Sequence, residues 1–123
     1  MYVGVLRLTL QVPAARSLKD KRRVVRSLKD RLQAKLPVSV ADVGGLNAYQ
    51  RAVVAVAVVS GEAARVDELM SAAASMAGRQ RDAVLADRAS EVIAFGDEGA
   101  GVRGGIEEAL DDGSWEDFDG PTA

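Results

Sequence analysis

The sequence predicts an α+β fold in which two helices lie on one face of a four-stranded antiparallel sheet. Three observations carry that prediction. Residues 2–12 alternate apolar and polar with a period of two. Residues 17–36 carry an apolar stripe with helical spacing. A middle pair of short strand-like segments is followed by a second helical and a last strand-like segment. Strand-like and helical periods differ because side chains alternate across a strand but recur every 3–4 residues on a helix. The resulting order, β-α-β-β-α-β, closes with right-handed crossovers and a central hairpin into a ferredoxin-like sandwich.

Each element has its own justification. In YVGVLRLTLQV, Tyr2, Leu6, Leu8, Leu10 and Val12 share one face, and Val3, Val5, Arg7, Thr9 and Gln11 share the other. Pro13 ends this strand because it cannot donate to a ladder. Ser17 followed by Asp20 is a short form of the capping box and opens the first helix. Leu18, Val25, Leu28, Leu32 and Leu36 form its apolar stripe, and Pro37 stops it. Residues 37–43 form a short strand, Gly44-Gly45-Leu46-Asn47 a turn, and residues 50–60 a central strand apolar on both faces. Residues 62–78 place Ala64, Val66, Leu69, Met70, Ala73, Ala74 and Ala77 at helical spacing, with Gly78 as C-cap. Residues 83–95 read as the last strand.

The chain has 123 residues, enough for one domain with its own core. We expect the folded domain to span residues 1–96 and an acidic, Gly-rich, disordered tail to span 97–123. The sequence contains no Cys and no His. Disulfide frameworks, Cys-rich zinc sites, Cys nucleophiles and Ser-His-Asp triads are therefore excluded. The longest apolar run, Ala52 to Val59, is eight residues, against the ~20 of a membrane-spanning helix. Met1 to Arg7 has no basic region ahead of a signal core. A cytoplasmic location without membrane contact is the expectation.

A net charge of −2 hides a strong polarity. Residues 1–35 carry ten Lys/Arg against two Asp/Glu, residues 36–96 five against seven, and residues 97–123 one against nine. Such asymmetry points to a basic binding surface and an acidic tail. At ~100° per residue, Lys19, Arg22, Arg23, Arg26 and Lys29 share one helix face, and Arg16 precedes it. Arginine binds phosphate oxygens bidentately and lysine acts as a point charge. These residues make a candidate contact surface for RNA or DNA backbone, to which Arg51 adds if it lies on the same side. Solvated helix faces mix signs, and here Arg26 and Asp30 are the obvious i, i+4 pair. Base stacking as on an RNA-recognition sheet is not expected, since the first and third strands have no internal aromatic.

In the central strand, Val54, Val56 and Val58 form one apolar row and Val53, Ala55, Ala57 and Val59 the other. One row faces the helices; the other faces the open side of the sheet, where an apolar patch needs a cover. We assign Val54, Val56 and Val58 to a dimer or partner surface. In the tail, Trp115 and Phe118 sit among acids and are candidate docking anchors for a basic groove or a partner. Gly99 to Gly104 matches G-x-G-x-x-G, but only 19 residues follow and they are mostly acidic or glycine. A dinucleotide fold does not fit there. Asp42 and Asp87 are the only internal carboxylates placed for acid–base work, and neither has a His partner. No catalytic residue, metal site, cofactor or small-molecule substrate is expected.

Gly4-Val5-Leu6-Arg7-Leu8, then Ser17-Leu18-Lys19-Asp20-Lys21-Arg22-Arg23-Val24-Val25, Val38 to Gly44, and Gln50-Arg51-Ala52-Val53 through Val59-Ser60 resemble the YlxP-like family of small bacterial proteins, a domain of unknown function. The resemblance covers residues 1 to about 95, and its runs SLKxKRxVV, VSVAxVG and QRAV are specific. It implies a ferredoxin-like domain. Genes of the family often lie beside those for ribosome maturation and translation initiation factors, which implies a role near the ribosome or its RNA. The family has no established catalytic residues. Gly45 to Tyr49 departs from the family's usual acid-and-Trp version, and the segment after Phe95 is not part of its pattern. The leading reading is a non-enzymatic accessory domain on ribosomal or other RNA. The alternative is a homodimeric protein-interaction module working through the open sheet face.

Overall fold

The computed structural model describes residues 1–45 and 48–96. Six elements follow in the expected order: β1 (Tyr2–Gln11), α1 (Leu18–Lys35), β2 (Ser39–Gly44), β3 (Arg51–Ser60), α2 (Ala63–Gly78) and β4 (Val84–Ala94). The strands form one antiparallel sheet in the order β2-β3-β1-β4. Helix α1 packs on β2 and β3, and α2 on β1 and β3. The ferredoxin-like expectation is met, and Met1–Ile93 form one compact unit. The Gly99–Gly104 run and the anchors Trp115 and Phe118 lie outside the described residues.

The core is set by the pairing of β1 with β3. Gly4 faces Val58, Leu6 faces Val56, Leu8 faces Val54 and Leu10 faces Ala52. All eight are buried against the helices. From above, α1 contributes Val25, Leu28 and Leu32, and α2 contributes Val66, Leu69, Met70, Ala73, Ala74, Met76 and Ala77. Burying a Val, Leu or Met side chain is worth ~1.5–3 kcal/mol, so this layer outweighs every polar contact in the fold.

The helix ends follow the sequence signals. Ser17 is the N-cap of α1: its Oγ accepts from Asp20 N–H at 3.1 Å. Asp20 reaches back in turn, its Oδ2 accepting from Arg16 N–H at 2.9 Å. The shorter carboxylate thus caps the residue before the usual one. At the other end, Leu36 N–H donates to Leu32 O at 2.9 Å before Pro37 breaks the helix. Between α1 and the turn after α2, Arg31 Nη1 donates to Gln80 Oε1 at 2.5 Å, and Gln80 Nε2 donates to Ser27 Oγ at 3.5 Å.

The β2–β3 connection is built around a bulge between Asp42 and Gly44 and a left-handed Gly45 at φ 69°. Gly45 O accepts from Lys21 Nζ at 2.5 Å and from Ala48 N–H at 3.1 Å. Lys21 is 2% exposed. Its stem lies in the middle of the apolar stripe, and its ammonium is spent on the loop.

Two glycines have steric reasons. A Cβ on Gly4 would lie 2.4 Å from Val66 Cγ1 and 2.8 Å from Met70 Sδ, so the absence of a side chain lets α2 sit close on β1. A Cβ on Gly45 would lie 2.8 Å from the Arg51 carbonyl oxygen, on a backbone that L residues adopt at a cost. Gly4→Ala should lower stability by about 1–3 kcal/mol through overpacking. Gly45→Ala should lower it by about 1–2 kcal/mol or more. Urea unfolding of both variants against the parent measures the two losses.

Candidate functional site

Helix α1 has two sides because its residues fall into two arcs at ~100° per residue. Val25, Leu28 and Leu32 are buried, with Leu18 and Leu36 half-buried beside them. On the opposite side Lys19, Arg22, Arg23 and Arg26 are exposed, and Lys29, at the border of the arcs, is half-buried. Arg16 is exposed in the loop before the helix. Six of the seven basic residues singled out from the sequence therefore lie on or just before α1.

Arg51 is the exception, and its expected place on that face is corrected. It pairs with Gln11 at the start of β3 and shares the parity of Val53, opposite the buried Ala52. It projects from the open face of the sheet, with the whole sheet between it and α1.

Arg22, Arg26 and Lys29 line a cleft of ≈ 340 Å³ between α1 and β2. Val25 and Val40, both 7% exposed, line it on the apolar side, and Asp30 and Asp42 also border it. Arg7–Asp87 at 3.8 Å and Arg65–Glu68 at 2.9 Å are ion pairs among the described residues. Neither involves α1. The expected Arg26–Asp30 pair is thus not closed, and opposite charges share the cleft without contact. Of the two candidate carboxylates, Asp42 borders this cleft, whereas Asp87 is an exposed partner of Arg7. Among the described residues no group of three or more acidic, His or Cys side chains could hold a metal ion. No described helix is long and apolar enough to cross a membrane.

The open face of the sheet is a second surface. Its β3 row is Val53, Ala55, Ala57 and Val59, not Val54, Val56 and Val58. The latter three are 1%, 0% and 1% exposed and belong to the core, which corrects their assignment to a partner surface. The physical reason is the register: Leu6, Leu8 and Gly4 place Val56, Val54 and Val58 on the helix side of the sheet. On the open side, Val5 pairs with Ala57 and Val3 with Val59. Val5 is 40% and Val59 63% exposed. Arg7 and Asp87 stand beside this patch.

Residues 3–89 match the family described as protein of unknown function (DUF503). The chain belongs to the DUF503 family. No curated protein matches it. A solved dimeric ferredoxin-like protein of unknown function from Thermobifida fusca YX is similar at 22% identity, over 76% of this chain and 92% of that one, with a TM-score of 0.39. The family match ends within β4 and takes in both the basic face of α1 and the β3 row.

Two features of the site escaped the pattern analysis. Lys21 belongs to the apolar arc, four residues before Val25 and seven before Leu28, and that phase alone marks it as a buried lysine. The approach of Asp42 to the α1 cations depends on how α1 crosses β2, which no local pattern contains.

The two β3 rows make a direct comparison. Val56→Ala should destabilise by about 2 kcal/mol, from lost burial and a residual cavity. Val59→Ala, on the open face, should stay within about 0.5 kcal/mol. Equal losses in thermal or urea unfolding would contradict the parity of β3.

Proposed function

We propose that this chain is a non-enzymatic accessory domain that contacts the phosphate backbone of RNA, ribosomal RNA included, through the exposed face of α1. The observation that carries the reading is the set Arg22, Arg23 and Arg26, exposed on one side of one helix with no carboxylate in salt-bridge contact among the described residues. Solvated helix faces ordinarily pair their charges at i, i+4. A rise of ~1.5 Å per residue spreads Lys19 to Lys29 over about 15 Å, the reach of several backbone phosphates. Within the DUF503 family we place the chain among the YlxP-like proteins, on the runs quoted from its sequence. Their gene neighbourhood supports a role in ribosome maturation or translation, in the cytoplasm.

Fluorescence anisotropy of labelled ribosomal RNA with the full chain across a salt series tests this. Each phosphate contact contributes ~0.7 to the slope of log K against log salt for a single strand and ~0.9 for a duplex. Replacing Arg22, Arg23 and Arg26 by Ala should reduce that slope by about 2 and weaken binding at low salt. An unchanged slope, or no binding by the parent at low salt, overturns the reading.

A second reading has its own observation. Val5 and Val59 lie exposed on the two central strands, whose other face is covered by the helices. A second copy stacked on the open face would shield them, making the domain a homodimeric interaction module. Sedimentation equilibrium of the parent should then show a dimer that resists salt, and Val59→Asp should return it to a monomer.

A further inference from the structure

The cleft between α1 and β2 carries groups of both signs in one small volume. Arg22, Arg26 and Lys29 bring donors and positive charge; Asp30 and Asp42 bring acceptors and negative charge. None of these is joined to another by a salt bridge among the described residues. A ligand that is only anionic would meet repulsion from two carboxylates, and one that is only cationic would meet three basic side chains. The matching ligand has an anionic group and hydroxyl donors a few ångströms apart. A ribonucleotide has that combination, with a phosphodiester beside a 2′-hydroxyl.

Size and position narrow it further. At ≈ 340 Å³ the cleft is at the small end of ligand sites, fit for one nucleotide and too small for a duplex. It is bordered by β2, an edge strand of the sheet, so a chain can enter and leave along the side of the domain. Val25 and Val40 offer an apolar wall for a base or the carbon side of a sugar.

We propose that this cleft distinguishes RNA from DNA by seating one unpaired ribonucleotide, its phosphate held by Arg22, Arg26 and Lys29 and its ribose hydroxyl donating to Asp42. The proposal rests on the reading of α1 as an RNA-contacting face. It goes further by naming the sugar as the recognised group and Asp42 as the residue that recognises it.

The test compares labelled single-stranded oligouridylate with the oligodeoxyuridylate of the same length, so that only the 2′-hydroxyl differs. Both are titrated with the full chain by anisotropy at low salt. The RNA should bind about tenfold more tightly, the worth of one charge-assisted hydrogen bond. Asp42→Ala should strengthen DNA binding by removing repulsion and weaken RNA binding, so that the preference collapses. Asp42→Asn, which removes the charge but keeps an acceptor oxygen, should strengthen both strands while retaining part of the preference. Asp42 is exposed on an edge strand, and circular dichroism checks that the variants fold. Equal RNA and DNA affinity in the parent, with binding lost in Arg22/Arg26→Ala, overturns the ribose assignment and leaves the phosphate reading standing. Equal strengthening of both strands by Asp42→Ala, with any preference unchanged, also overturns it. Absence of binding by either strand overturns both.

Discussion

Everything in this fold depends on the pairing of β1 with β3. That register decides which of two nearly equivalent apolar rows of β3 meets the helices and which meets solvent. Gly4, Leu6, Leu8 and Leu10 opposite Val58, Val56, Val54 and Ala52 make a continuous apolar floor. Both helices rest on it, and a slip of one residue would turn every one of those side chains to the other face. Gly4 has a particular part, since its missing side chain admits Val66 and Met70 to the β1 end of the floor.

With the floor in place, α1 is oriented by its own apolar arc, and its basic arc is turned outward as a consequence. No separate force aims Arg22, Arg23 and Arg26 at solvent; they lie opposite Leu28 and Leu32. Lys21 shows the same geometry from the inside. It occupies the apolar arc, and its ammonium is satisfied by the Gly45 carbonyl, tying the β2–β3 connection to the helix. A buried lysine is tolerable only with such a partner. The loop next to β2 is thereby anchored to the helix that forms the other wall of the cleft.

Most of the architecture is legible in the sequence because its signals are local. The alternation in β1, the Leu stripe in α1, the Ser17–Asp20 cap and the stops at Pro13 and Pro37 each act within a few residues. The basic face of α1 is legible for the same reason, because it follows from one helix's period. The open face of the sheet is not. Val53 to Val59 is apolar at every position, so the strand itself has no inside and outside, and only the pairing with β1 supplies one. Arg51 has the same difficulty: its side depends on strand parity, while the α1 cations depend on helix phase. The pair Asp30 and Asp42 is hidden for a different reason, since their residues come from two elements and meet only through the packing of α1 on β2.

The sequence by itself determined the element order, the two helix faces and the charge polarity, because periodicity, caps and composition are properties of contiguous residues. Tertiary structure alone decided the parity of β3, the burial of Lys21 on a loop carbonyl and the mixed-charge cleft between α1 and β2. These are relations between residues distant in the chain, set by strand register and helix packing. A row of valines reads the same from either side until a neighbouring strand covers one of them.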